Sequence, residues 1–191
     1  GFGKVNQCGR LDTAYFINLY REYLNEKGIF INERFDYSSI EITSNGINYK
    51  GVSAKTIVFC EGFGVLQNPF FNYLPLNGTK GELITIHAPD LKLNQIIKSA
   101  VFVIPLGHDL YSVGSTYAWD DKTGLPTAGA REELESKLKR FITCDYKVVK
   151  HVAGIRPTVK DRRPLVGQHP KHEHLYILNG LGTRGVLIGP Y

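Results

Sequence analysis

Apolar positions recur every three or four residues between Asp12 and Gly28. Phe16, Ile17, Tyr20 and Leu24 fall on one side, and Asn18, Arg21, Glu22, Asn25 and Glu26 on the other. That spacing predicts an amphipathic helix with Asp12 as its N-cap and Gly28 as its stop. Gly28-Ile29-Phe30-Ile31 reads as a short strand after it, as in an α/β layer. The period then drops to two. Ser39 to Thr43 alternates with Ile40 and Ile42 on one face, and Asn45-Gly46 supplies a hairpin turn into Ile47-Asn48-Tyr49. Lys55 to Cys60 is apolar without alternation, which predicts a central strand covered on both faces and ending in Glu61-Gly62-Phe63-Gly64. Glycine at the carboxyl end of such a strand is where an open α/β sheet places ligands.

Longer alternating segments follow. Gly81 to Ile86, Ala100 to Ile104 and Leu110 to Ser115 read as antiparallel strands, with Gly107-His108-Asp109 turning between the last two. A second helix over about Ala130 to Ile142 carries Leu134, Leu138, Phe141 and Ile142 on one face, and Lys147 to Ala153 reads as a further strand. That strand leads into Gly154-Ile155-Arg156-Pro157. A turn-rich connection, Lys160 to Gly167, comes next. The apolar run Leu175-Tyr176-Ile177-Leu178 follows, then the glycine cluster Gly180 to Gly185 opening into Val186-Leu187-Ile188. The order predicts an α/β (α+β) chain: residues 1–64 as one α/β piece, 65–150 as an antiparallel sheet with one helix, and 151–191 as a return to the first.

Composition narrows the classes. With 42% apolar and 21% charged residues over 191 positions, the chain is an ordinary globular one. Its net charge of +5 favours anionic ligands, but the basic residues are scattered and no aromatic-interleaved stripe points to nucleic acid. No apolar run approaches the ~20 residues needed to span a bilayer. Cys8, Cys60 and Cys144 are an odd set with no CxxC pair, which argues for a reducing, cytoplasmic setting and against a disulfide framework or zinc site. The chain contains no Met, not even an initiator, and stops inside a segment that ought to continue as a helix, so an excised or processed piece is expected.

Chemistry concentrates near the C-terminus. Arg156 offers parallel N–H donors matched to a carboxylate, and Pro157 restricts its backbone; the competing reading is a surface arginine in a salt bridge. A strand followed by a glycine loop and a helix aims backbone N–H groups at an electron-rich ligand, although an ordinary tight turn has the same composition. Arg184 either adds charge there or is simply solvated. His169-x-x-His172-x-His174 reads as a solvated loop rather than a metal site, because no Cys or carboxylate partner has ligand spacing. Neither Ser nor Cys sits in a nucleophile-elbow pattern.

Gly154-Ile155-Arg156-Pro157, then Asp161-x-x-Pro164-x-x-Gly167, then Gly180-x-x-x-x-Gly185 resemble the closing signature of the flavin-dependent D-amino acid oxidase, glycine oxidase and sarcosine oxidase superfamily. The resemblance extends to the first helix, the Val58-to-Gly64 strand exit, the Lys80-Gly81 strand start and Gly114-Ser115-Thr116. It implies a partial Rossmann-like FAD-binding domain joined to an antiparallel substrate-binding domain, with FAD as cofactor. Arg156, Phe102 and Tyr117 would then bind substrate, with Trp119 bordering the pocket. Gly62, Gly64, Gly180, Leu181, Gly182, Thr183, Arg184 and Gly185 would contact the cofactor. No side-chain base and no metal are called for. The implied reaction oxidises a C–N bond of a small amine or amino acid by hydride transfer to FAD.

One departure from the family pattern stands out. Gly1-Phe2-Gly3 is too short to serve as the GxGxxG unit that holds the FAD pyrophosphate, so tight FAD retention by these 191 residues alone is not expected. Two alternatives stay open: a tRNA-modifying flavoprotein of the same superfamily, and a non-catalytic binding domain that has lost the cofactor.

Overall fold

A computed structural model describes residues 3–191, so Gly1 and Phe2 of the opening glycine-rich stretch lie outside the described residues. Helix α1 spans Thr13–Glu26, with Asp12 Oδ1 accepting from the Tyr15 amide at 3.1 Å. It ends at Gly28, whose φ of +66° is the left-handed stop expected of a glycine there. The predicted apolar face exists, but nothing among the described residues covers it: Phe16, Ile17 and Tyr20 are each about half exposed and α1 buries no residue. Residues 28–31 are not a strand, and Ile29 and Ile31 are exposed. A strand needs a neighbour to receive its amides, and this segment has none among the described residues.

Three short strands, β1 (Ile40–Thr43), β2 (Gly46–Tyr49) and β3 (Val52–Ala54), form an antiparallel meander. Gly46 is required at its turn, because a Cβ there would overlap the Ala54 carbonyl. Strand β4 (Ile57–Phe59) pairs in parallel with a later strand described below, and a 3₁₀ turn over Gly62–Gln67 follows it.

The largest sheet is antiparallel. Its strands are β5 (Thr79–His87), β6 (Ile97–Lys98), β7 (Phe102–Gly107), β8 (Leu110–Gly114) and β9 (Lys147–Arg156), in the spatial order β6-β7-β8-β5-β9. Strand β9 is longer than its apolar alternation implied and carries Arg156 as its last residue. Helix α2 (Ala128–Leu138) covers one face, with Leu134 and Leu138 fully buried against Ile84, Ile86, Val103 and Val113. Each such leucine contributes about 1.5–3 kcal/mol of burial.

The chain then returns through β10 (Leu165–His169) and β11 (His172–Asn179) to the short helix α3 (Gly185–Ile188). Strand β11 lies between β10 and β4, with Leu175, Tyr176 and Ile177 opposite Ile57, Val58 and Phe59. The C-terminal segment thus folds back beside the Thr56-to-Cys60 run. That run is an edge strand of three residues, not the covered central one its composition predicts, and Val58 is half exposed. A second core joins the meander to this sheet through Ile47, Phe59, Val65, Phe71, Leu175 and Ile177.

Candidate active site

Directly opposed residues in an antiparallel pair point to the same side of the sheet. The register sets Thr79 against Arg156, Gly81 against Gly154, and Leu83 and Phe102 both against Gly114. Arg156 and Phe102 therefore share the face turned away from α2. Glycines keep that face low. A Cβ on Gly114 would stand 3.1 Å from Phe102 Cζ, and one on Gly81 would overlap the Arg156 guanidinium.

Arg156 is half-buried. Its Cζ lies 4.5 Å from the ring centroid of Tyr117, and Nη1 reaches the Thr116 carbonyl at a long 3.4 Å. It forms no ion pair among the described residues, so it is not the salt-bridged surface arginine of the competing reading. A guanidinium placed over an aromatic ring keeps N–H donors for a ligand.

Beside it the glycine loop closes a cavity of about 590 Å³, with Tyr117 and Trp119 among the lining residues, together with Gly180 to Arg184 and the cations Lys160 and Arg162. The loop is built from its own neighbours. Asn179 Oδ1 accepts from the Gly180 amide at 2.8 Å, and Asn179 Nδ2 donates to the Gly62 carbonyl at 2.8 Å, which ties the loop to the exit of β4. The Gly182 amide donates to Pro157 O at 3.0 Å, the residue after Arg156. Gly180 has φ +70°, and a Cβ there would press on Val159 and Leu165.

These bonds use the amides of Gly180 and Gly182, and the Arg184 amide donates to the Leu181 carbonyl at 3.1 Å. Among the described residues the Leu181, Thr183 and Gly185 amides donate to no protein acceptor, and of these Leu181 and Thr183 belong to residues that line the cavity. The loop thus offers fewer amides than its glycine content implies. Gly185 stands behind the loop at the start of α3, Gly62 supports it through Asn179, and Gly64 is exposed in the 3₁₀ turn. Phe102, Gly62, Gly64 and Gly185 do not line the cavity; Tyr117 and Gly180 to Arg184 do, and Arg156 adjoins it through Tyr117.

Sequence reasoning passed over the buried lysine beneath this wall. Lys80 is fully buried on the α2 face, where Nζ donates to Asp121 Oδ2 at 2.5 Å and to the Leu125 carbonyl, and lies 3.3 Å from Glu82 Oε1. The hydrogen bond from Lys80 comes first among the contacts that hold the Asp121 carboxyl down at about 2, and the same bond raises the Lys80 ammonium. For Glu82, burial pushes the carboxyl up, but donation from the Thr127 amide and hydroxyl together with Lys80 outweighs it and the net direction is down. His151 Nε2 stands 2.8 Å from Glu82 Oε2, out of line for a hydrogen bond. The backbone of Lys80 exchanges bonds of 2.9 and 3.0 Å with Ala118, between Tyr117 and Trp119. The backbone of residue 80 thereby holds the 117–119 segment against β5, and the Lys80 ammonium holds residues 121–125 beyond it. The signal was in the alternation: Lys80, Glu82, Ile84 and Ile86 share one strand face, and the last two are plainly core.

A smaller cluster sits at the exit of β4. Glu61 accepts from the Tyr37 hydroxyl and, at 2.8 Å, from Asn68 Nδ2. Burial, then this carboxylate, pushes Tyr37 up to about 12. The histidine tract is not a solvated loop: it is the β10–β11 hairpin, with the rings of His169 and His172 4.7 Å apart and packed edge-on to Phe71 and Phe70. Aromatic partners from residues 70–71 were invisible in local sequence. No group of three metal-ligating side chains occurs among the described residues. No helix among them is long and apolar enough to cross a membrane, and Cys8, Cys60 and Cys144 are all free.

The sequence profile of the FAD dependent oxidoreductase (DAO) family matches residues 4–191. The chain belongs to this family. A glycine oxidase of Pseudomonas putida is 29% identical over 177 residues, covering 89% of this chain and 46% of the relative. The tRNA 5-methylaminomethyl-2-thiouridine biosynthesis bifunctional protein MnmC of Aromatoleum aromaticum is 29% identical over 158 residues, covering 71% of this chain and 24% of the relative. Among solved structures, glycine oxidase from Geobacillus kaustophilus superposes with a TM-score of 0.64 at 24% identity over 80% of this chain and 44% of that one, a likeness of fold. The chain spans less than half the length of these relatives. In the FAD dependent oxidoreductase family the cofactor is a flavin, and the cavity's chemistry suits one: two unspent amides, adjacent cations and an aromatic wall.

Proposed function

We propose that this chain supplies the substrate-binding sheet, and a share of the FAD-binding layer, of a flavin-dependent amino acid or amine oxidoreductase. In this reading residues 1–64 and the return that follows β9 belong to the FAD-binding part and the large sheet to the substrate-binding part. The expected boundary at 150/151 would cut β9, so it moves to the end of that strand after Arg156. The observation that carries it is Arg156, without an ion pair among the described residues and lying over Tyr117 at the border of the cavity that the glycine loop closes.

The Leu181 and Thr183 amides and Arg184 would hold the electron-rich edge of the flavin ring, and Asn179 keeps the loop in place. When bound, the flavin supplies the two-electron acceptor for a substrate C–N bond. Arg156 takes the substrate carboxylate and so fixes the direction of the reacting C–H bond. Tyr117 and Trp119 exclude water from one side. A neutral amine needs no side-chain base, and none of the lining residues is a carboxylate or histidine. Replacing Arg156 with Ala in the full-length protein that contains this chain raises KM for carboxylated amines while kcat changes less. An unchanged KM removes Arg156 from its role, and a full-length protein without flavin sinks the whole reading.

A tRNA-linked amine as substrate is the second reading, favoured by the MnmC relative and by the exposed cations at the rim. It requires tRNA binding with a steep salt dependence.

A further inference from the structure

Three cations line the cavity, Lys160, Arg162 and Arg184, and no Asp or Glu does. None of the three forms an ion pair among the described residues. The nearest carboxylate in sequence, Asp161, is turned into its own loop, where Oδ1 accepts from the Arg163 amide at 3.0 Å. Arg184 does not swing free, because its Nη2 donates to the Arg162 carbonyl at 2.8 Å and clips the two loops together at the rim. With Arg156, four positive groups surround or adjoin one concavity that no carboxylate lines among the described residues.

Like charges gathered in a concave wall repel one another and raise the local potential, and an anion placed among them relieves both effects. An α-carboxylate on Arg156 and the electron-rich flavin edge on Arg184 still leave Lys160 and Arg162 uncompensated. We infer that the cavity takes an amine carrying a second anionic group, a carboxylate or phosphate, which Lys160 and Arg162 recognise while Arg156 takes the first. This rests on the reading of Arg156 as carboxylate anchor given above, and it names the substrate class that reading left open.

Trp119 is the only tryptophan in the chain and lines the cavity, so its fluorescence reports occupancy without any need for turnover. Aspartate and asparagine are near-isosteres that differ by one negative charge. Titrated into the 191-residue chain, aspartate is expected to bind at least about tenfold more tightly than asparagine. In the K160Q/R162Q double variant that ratio falls to about one, the loss coming from weaker aspartate binding. Equal binding of the two ligands, binding of neither, or a ratio that survives in the double variant overturns the inference. Riboflavin and FMN distinguish a phosphate on the cofactor from an anion on the substrate. A preference for FMN that the double variant removes, without any preference for aspartate, assigns the cations to the cofactor and overturns it too. Failure of the parent reading looks different: R156Q then leaves both amino acids unaffected, whereas an anchoring Arg156 weakens both by the same factor and leaves their ratio intact.

Discussion

The guanidinium of Arg156 lies across Gly81, so closely that a methyl group on Gly81 would occupy its place. The two residues sit on neighbouring strands, two residues out of register, because Arg156 is paired with Thr79 and Gly81 with Gly154. Only glycine lets the arginine side chain cross the sheet to reach Tyr117. Gly81→Ala should therefore act as a displaced Arg156 rather than as a lost one. In the full-length protein it is expected to raise KM for a carboxylated amine about tenfold, in the range of a lost charge-assisted bond. An unaltered KM would show that the arginine's path over Gly81 does not matter to binding.

Lys80 makes a second prediction, because it joins burial to the cavity wall. Lys80→Met leaves Asp121 and Glu82 without their cation and loosens residues 121–125 just beyond Trp119, while the backbone bonds to Ala118 remain. Thermal unfolding should come at a lower temperature, and the emission intensity of Trp119, a ring already half exposed, should change as the segment after it loosens. Lys80→Arg should recover part of both. The pH dependence follows from the lowered carboxyls. Asp121, held at about 2 against an ordinary 3.8, contributes stability that is present above 3.8 and is lost as pH falls towards 2. Glu82 acts in the same direction. Acid denaturation followed by circular dichroism should show this component in the native chain and lose it in Lys80→Met.

Local pattern and non-local placement separate cleanly in this chain. The cap at Asp12, the stop at Gly28, the α2 stripe through Leu134 and Leu138, and the large antiparallel sheet are all set by periodicity and turn chemistry, which neighbours in sequence carry. The edge position of β4 is not, since the strand that pairs with it lies more than a hundred residues away and an apolar run reads alike at edge or centre. The candidate site follows the same division. Arg156 and the glycine loop were legible from residue type and motif. The stacking of Arg156 on Tyr117, the tie from Asn179 to Gly62 and the carboxylate cluster on Lys80 depend on pairs 39 to 117 residues apart, which no local spacing encodes.

Protonation should loosen the β10–β11 hairpin near neutral pH. Burial, followed by the neighbouring His172, lowers His169 below its ordinary 6.5. A cationic group with a depressed value binds fewer protons folded than unfolded. Its contribution is therefore complete above 6.5 and is lost as pH falls below it. The carboxyls discussed above do not titrate in that window. The urea midpoint should fall between pH 7.5 and 5.5 in the native chain, and His169→Gln should flatten the change. A midpoint that stays level in the native chain would deny His169 this role.

Helices α1 and α2 should respond unequally to loss of an apolar side chain. Leu134 on α2 has no exposed surface and packs on β5 and β8, so Leu134→Ala removes filled volume from a closed core and should cost about 2–5 kcal/mol. Phe16 on α1 is half exposed, and its one stacking partner among the described residues is Tyr20, 6.2 Å away between ring centroids. Phe16→Ala in the same 191-residue chain should change stability by less than about 1 kcal/mol, because there is no cavity to leave behind. Denaturant unfolding of the two variants measures both quantities. A large cost at Phe16 would mean that the apolar side of α1 is covered in solution, and the exposure of Ile17 and Tyr20 would then have to be reassigned as well.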